Sequence, residues 1–445
     1  MQKNPQSSVP AGYLPDETPS IGKLLAFAFQ QVLVMFPATV TVALLTGFHV
    51  STTIFASGLA TLCFLFVTKG QIPLYYGSSF SYIAAIVGIT GATYGQTVSD
   101  TLISQAQFGI ICSGLVSIVA GLIVSRFGMD KIEKVLPPTI TGSIALVIGI
   151  SLAGTAFTQA IGFNGESSPL ENKMWIVAIV TLIATILFSV YLKGVLGQLP
   201  ILFGIAVGYI VSIPLGLVDF SGVFEGSLIV RPHFTLPQPS AMAVLAIMPI
   251  AIATIPESTA HLFQLDIYVN DLAKRKGKKE YKIADKLGLN LIGDGIGDIV
   301  ASLFGGPAGT NYGENISTMA ITKNFSVRML GTAAVMSIIL SFINPLSNFI
   351  NTVPGAVING SCIFLFGVIA AQGIAIMINK KVDMFDARNL AIIAIILIIG
   401  IGGHYGFPGG SIPFFGAQLP AIATASIVGI LLNALLSIGR KPEQA

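Results

Sequence analysis

Charge is what this chain has least of: only 10% of its 445 residues are Asp, Glu, Lys or Arg, where soluble domains carry roughly a quarter. That shortage excludes a water-exposed globule. No stretch reads GxxxxGK[ST], so the chain has no loop to cradle nucleotide phosphates, which argues against ATP-driven work by this chain alone. No HExxH occurs either, and no metal or cofactor is expected. Cysteine is scarce too: Cys63, Cys112 and Cys362 stand singly inside apolar runs, the setting of small buried residues rather than of a disulfide or a metal centre. The first twenty residues are polar and proline-rich, without the charged n-region, apolar core and small-residue cleavage site of a signal peptide, so the first apolar run is expected to be retained. A net charge of +3 offers nothing to a nucleic acid, and no such partner is expected.

What is present is apolar. Hydrophobic residues make up 53% of the chain and the mean hydropathy is +0.83. Runs of about 20 apolar residues, enough to cross a bilayer, recur over 21–436 and predict an all-α polytopic membrane protein of about fourteen spans, two of them short or broken. With fourteen spans and a cytoplasmic N-terminus, only Lys173 and Arg231 of the 23 basic residues fall outside, so 21 lie inside. Such asymmetry follows the positive-inside rule and predicts a multi-pass protein of the cytoplasmic membrane with both termini in the cytoplasm. The basic run "LAKRKGKKEYK" at 272–282 reads as one of those inner loops.

The chain repeats itself. "TITGSIALVIGISLAG" at 139–154 is echoed by "AVINGSCIFLFGVIAAQG" at 356–373, with Gly142, Ser143 and Gly149 answered by Gly360, Ser361 and Gly367. "GQLP" at 197–200 is echoed by "AQLP" at 417–420. Seven spans in each half is an odd number, so the two copies must cross the membrane in opposite senses. Inverted repeats of this kind belong to secondary transporters, whose sites lie at the midplane where discontinuous helices meet. Those helices are expected in "GQIPLYYGSSFSYIAAI" (70–86) and "GGPAGTNYGENISTMAI" (305–321), where proline and glycine hold an extended approach ahead of a short helix. Ser78 or Ser79 is suited to cap the first, and each half-helix aims free backbone N–H groups at the centre.

Four carboxylates remain inside predicted spans: Glu257, Asp294, Asp298 and Glu314. By insertion scales a charge there costs at least ~2.5 to 3.5 kcal/mol, so function is the default reading. Glu257 and His261, four residues apart, share a helix face. Glu314 stands in the first turn of its half-helix, where the dipole favours a negative charge. Asp294 and Asp298, in "NLIGDGIGDIVASLF", are read as supports that bond backbone N–H groups of the neighbouring broken helix.

Taken together, "YGSSFSYI", "PESTAHL", "DGIGDIVASLFGG" and "TNYGENISTMAIT" resemble the nucleobase/ascorbate transporter family, most closely its bacterial uracil permease branch, over 21–436. The resemblance implies a core domain (21–126 and 242–345, spans 1–4 and 8–11) and a gate domain (135–217 and 353–438, spans 5–7 and 12–14) behind a cytoplasmic tail (1–20), with dimers formed through the gate. It also implies that Glu257 and Glu314 hold the base, with His261 one turn below, Phe80 on the ring, and Gly313 and Tyr312 beside Glu314. Ser79 is read as a supporting residue. In one place the chain departs from the family pattern: Gln30-Gln31 stands where a Gln-His pair is common, and Gln31 can hydrogen-bond but cannot carry a proton.

Uracil offers two N–H donors and two carbonyl acceptors, which suits two acceptor-only carboxylates and a row of half-helix N–H groups. The expectation is therefore uracil import by proton symport, with Glu257, which lies in mid-helix with no dipole to hold its charge, as the coupling residue together with His261. Purine-carrying relatives show a Gln-x-Asn pattern where Glu314-Asn315 stands here, so xanthine or uric acid is the alternative. An anion transporter of the same architecture is a second, and two facing glutamates would repel its cargo. A membrane enzyme using His261 and Glu257 is a third, without a nucleophile motif to support it.

Overall fold

The computed structural model describes residues 12–94, 98–128, 136–162, 170–414 and 417–438. Residues 1–11 of the expected tail lie outside the described residues, as do Lys131, Lys134, Arg440 and Lys441 of the charge count.

Most of the chain is helix because apolar backbone in a bilayer must satisfy its own N–H and C=O groups. In the first half α1 (Ile21–Thr46) and α2 (Val50–Val67) are followed by a short strand β1 (Tyr76–Ser78), a 3-10 turn (Phe80–Tyr82) and a short α3 (Ile83–Thr90). Then come α4 (Asp100–Phe127), α5 (Pro138–Ala160), α6 (Glu171–Tyr191) and α7 (Pro200–Ser212). The second half opens with α8 (Ala241–Ile247), separated by a turn at Pro249 from α9 (Ala251–Arg275), and continues with α10 (Leu287–Leu303). Strand β2 (Gly309–Asn311) leads directly into α11 (Gly313–Thr322). After α12 (Val327–Leu340), α13 (Asn344–Asn351) and α14 (Gly355–Asn379) come α15 (Ala387–Leu397), a hairpin of β3 (Ser411–Phe414) and β4 (Ala417–Pro420), and α16 (Ala421–Ser437). Among the described residues, eight helices are long and apolar enough to cross a membrane, and shorter apolar helices account for four further expected spans.

The helices pack in two groups. In one, α4 lies along α10, and α2 along α10 and α12; in the other, α5 lies along α14, α6 along α7 and α14, and α15 along α16. Both principal crossings bring backbones into contact. A Cβ on Gly295 would stand 2.3 Å from the Gly114 carbonyl oxygen, and one on Gly373 would stand 2.5 Å from that of Gly142. Close approach of this kind replaces hydrophobic driving force in lipid, where the surroundings are as apolar as leucine.

The two extended segments meet in the first group. β1 and β2 pair antiparallel, with Tyr76 opposite Asn311, Gly77 opposite Thr310 and Ser78 opposite Gly309. Each strand thereby satisfies backbone groups of the other, and the hydroxyls of Ser57 and Thr61 both donate to the Tyr76 carbonyl at 2.9 Å. Asp298 accepts from the Gly309 backbone N–H at 2.7 Å and stands 2.7 Å from the Tyr76 hydroxyl. The carboxylate thus binds backbone at the strand crossing. Asp294, one turn earlier, departs from the expectation: its carboxylate accepts from side chains rather than backbone N–H groups, from the Ser258 hydroxyl and, at 2.7 Å, from the Asn311 side-chain amide.

Residues 12–20 are folded back onto the basic end of the molecule. Tyr13 N–H donates to the Lys323 carbonyl and Phe325 N–H to the Tyr13 carbonyl, both at 2.8 Å, while Leu14 is fully buried. Lys276 Nζ holds Glu17 Oε2 at 2.6 Å and Lys278 Nζ holds Oε1 at 2.9 Å. Partial burial works against the Glu17 charge, but the bonds from Lys276, the Leu14 N–H and Lys278 outweigh it and hold the carboxyl at about 2, against an ordinary 4.5.

Candidate functional site

A cavity of 520 Å³ lies between the two groups of helices, lined by Phe80, Ser81, Glu257, His261, Gly313 and Glu314 on one side and by Ile148, Leu365, Ile369 and Gln372 on the other. It extends past Gln264, Gln198 and Asn379 toward the end of the molecule that carries most of the basic residues. Its size suits a small organic ligand.

Each carboxylate reaches the cavity for a local reason. Proline at position 256 has no N–H and leaves the Ile252 carbonyl without its helical partner, and Glu257 follows directly on α9. Its Oε2 accepts from the Ser81 hydroxyl at 3.3 Å. Glu314 arrives from the opposite direction. It occupies the first turn of α11, which begins where β2 ends, so the carboxylate and the unsatisfied N–H groups of that turn share one wall. Among the described residues, neither glutamate is paired with a basic side chain. Both are partly open to the cavity, not sealed in the core.

The remaining expected residues fall into three places. His261 stands one turn below Glu257, its ring against Gly313: a Cβ there would lie 2.8 Å from His261 Nε2, so only glycine lets α11 start beside the imidazole. His261 Nδ1 is a buried atom without a hydrogen-bond partner. Phe80 presents its side chain to the same cavity from the turn that precedes α3. Tyr312 borders the cavity, but its hydroxyl is engaged behind the wall, 2.9 Å from the Thr39 hydroxyl and 3.0 Å from the Ser78 carbonyl. Ser79 rather than Ser78 caps the turn, accepting from the Ser81 N–H at 3.3 Å, and its own N–H donates to the Ala308 carbonyl. Gln31 sits behind α11, where its side-chain oxygen accepts from the Asn315 amide at 2.7 Å. A hydrogen-bonding position is all the geometry asks of that residue.

Asp294, with Asp298, stays out of the cavity. Ser258 and Asn290 join Asp294 and Asn311 in one network, with Asn290 Nδ2 donating to the Ser258 hydroxyl at 2.7 Å. Through it the rear of α9 is tied to β2, so Glu257 and Glu314 are held relative to one another by bonds behind the wall.

Sequence reasoning missed Ser81, Gln264, Ser317 and Gln372, all at the cavity. Ser81 carried a signal, since it lies two residues past Ser79 in the same broken span. The neutral amides carried none, because an uncharged side chain in a span raises no large desolvation cost and does not stand out.

Residues 22–409 match the Permease family. The chain is 37% identical to the uracil permease of Bacillus caldolyticus over 94% of this chain and 93% of that one. It is 36% identical to the uracil permease of Bacillus subtilis (strain 168) over 96% of each. Among solved structures, the murine Solute Carrier 26 family member A9 anion transporter in the inward-facing state superimposes with a TM-score of 0.66 at 12% identity, over 98% of this chain and 73% of that one. The last likeness concerns fold alone.

Proposed function

The chain belongs to the permease family that its motifs resemble, and from that premise we propose that it is a membrane transporter for a nucleobase, uracil, moved together with a proton. The observation that carries the reading is that Glu257 and Glu314, from two different elements, line one cavity together with Phe80. Two acceptor-only groups on one wall match the two N–H donors of a uracil ring, and the N–H groups of the first turn of α11 match its carbonyls. Each bond to a carboxylate contributes roughly 1.5 to 3 kcal/mol, and Phe80 supplies a face for the ring. An anion in the same place would meet two negative charges.

Glu257 is the proposed coupling residue. It lies within α9, away from the helix end that favours the Glu314 charge. A proton on Glu257 removes one charge from the loaded site as it passes the apolar midplane. One proton moved with a neutral base carries one charge, worth ~2.3 kcal/mol per 100 mV, which supports roughly fifty-fold accumulation. The group built on α2, α4, α10 and α12 is proposed to act as the core that carries the base, and the group built on α5, α14, α15 and α16 as the gate, through which two copies pair in the cytoplasmic membrane. The basic end of the molecule faces the cytoplasm by the positive-inside rule, so this conformation opens inward.

The test is uptake of labelled uracil into cells lacking their own uracil carrier, with and without a protonophore. Concentrative uptake that collapses with the protonophore is expected. Concentrative uptake of xanthine or uric acid instead of uracil would move the substrate to a purine, and uracil uptake indifferent to the protonophore would remove the proton.

A further inference from the structure

At the end of the molecule opposite the basic loops, outside the cavity, three side chains from three segments converge. His49 precedes the first turn of α2, Asp100 opens α4, and His233 belongs to the extended stretch ahead of α8. His233 Nε2 lies 2.9 Å from Asp100 Oδ2 and His49 Nε2 lies 3.7 Å from Asp100 Oδ1, with the two imidazole centroids 4.4 Å apart. One ligand atom from each residue falls within 4.8 Å of the other two. The contact between His49 and Asp100 is too long for a hydrogen bond, and His49 Nε2 is a buried atom with no hydrogen-bond partner. Two atoms each about 2.0 to 2.1 Å from a tetrahedral zinc ion stand roughly 3.3 Å apart, so the opening between this nitrogen and the carboxylate is close to what an ion between them needs.

We propose that His49, Asp100 and His233 form a binding site for a divalent first-row metal, with zinc as the representative ion. Two imidazoles and one carboxylate are a donor set for such ions and not for magnesium or calcium, which prefer oxygen. The ligands are positioned from behind. The Thr52 hydroxyl donates to the His233 carbonyl at 2.7 Å, the Thr235 hydroxyl donates to Gln107 Oε1 at 2.8 Å, and Gln107 Nε2 returns a bond to the Thr235 carbonyl at 3.0 Å. Asp100 and His233 are each more than half exposed, so an ion can enter and water can fill the remaining coordination position. His49 and Asp100 stand at the starts of α2 and α4, and Thr52 and Gln107 of the same two helices bond the 233–235 backbone, so the metal clamps the stretch ahead of α8 onto α2 and α4. It is a structural clamp on one group of helices, and it stands independently of the substrate reading.

The test uses the purified full chain, stripped with EDTA and titrated with zinc while metal content and melting temperature are followed. One zinc per chain and a melting temperature that rises to saturation at one equivalent are expected, reversed by EDTA and not reproduced by magnesium. His49→Ala and His233→Ala should each weaken zinc binding at least as much as the ~10-fold loss typical of removing even a supporting partner. His233→Gln, which keeps a hydrogen bond to Asp100 within reach, replaces any variant that does not elute as the parent does. Absence of retained zinc, or an unchanged zinc response in the double variant H49A/H233A, would overturn the site.

Discussion

Glu257 and Glu314 come from helices that approach the cavity from different parts of the chain, and the proposed division of labour between them predicts that their amides fail differently. Glu314→Gln replaces the acceptor proposed to face a ring N–H with a group that also donates, and the loss of one charge-assisted bond would correspond to roughly 10-fold to 150-fold weaker uracil binding. Glu257→Gln is expected to keep exchange of internal for external uracil while losing accumulation against a gradient. Binding by calorimetry together with counterflow and uptake in vesicles separates the two, and a Glu257→Gln variant that still concentrates uracil would remove Glu257 from the coupling role. Both carboxylates were legible in the sequence because a charge inside a span is costly and conspicuous. The bonds from Ser81 to Glu257 and from Asn315 to Gln31 were not, since neutral polar residues recur throughout the chain without such contacts.

The broken elements show how a bilayer tolerates extended backbone. β1 and β2 bond to each other, and Asp298, Tyr76, Ser57 and Thr61 attend to the groups left over. The breaks were legible from Pro73, Gly77, Pro307 and Gly313, but the antiparallel register was not, because pairing joins segments more than 230 positions apart. The docked segment at 12–20 was missed altogether: polar and proline-rich, it reads as a free tail until Lys276 and Lys323 are brought to it. Its Glu17 predicts a pH effect. The folded carboxyl titrates at about 2 and an ordinary one at 4.5, so the stabilisation is complete above about pH 4.5 and is lost as the pH falls toward 2. Glu17→Gln should therefore lower the melting temperature at pH 7, by an amount on the order of 1 kcal/mol in stability, and the difference from the parent should shrink below pH 4.5. A difference that does not change with pH would exclude the ion pair as its source.

The cavity belongs to neither group of helices alone. Glu257, Glu314 and Phe80 face Ile148, Leu365 and Gln372 across it, so movement of one group against the other alters access without dismantling the carboxylate wall. A second cavity, of 660 Å³, lies toward the opposite end, bordered by Ile83, Leu152, Gln159, Phe366 and Tyr405. Apolar side chains of α5 and α14 border both. Access is predicted to be one-sided in this conformation. Gln372→Cys should react with a membrane-impermeant maleimide in inside-out vesicles far faster than in right-side-out vesicles, and uracil should slow the reaction. Cys63 and Cys112 are half-buried and Cys362 is buried, which keeps the background low. Equal labelling from both sides would contradict the inward opening.

By itself the sequence determined the membrane character, the distribution of basic residues, the positions of the helix breaks and the four carboxylates that had to be explained. Each of these is local: hydropathy accumulates along a window, a proline stops the helix where it stands, and a charge in a span has its cost wherever the chain goes. Only the tertiary structure decided which carboxylates face a cavity and which hold the strands. Glu257 and Asp294 are both acids in apolar helices, but the first lies next to Ser81 at the cavity while the second is enclosed by Ser258 and Asn311. Only packing, too, brought His49, Asp100 and His233 together across 184 positions of sequence. Such differences arise from contacts between distant segments, which close approach of glycine-bearing helices creates and which no window along the chain contains.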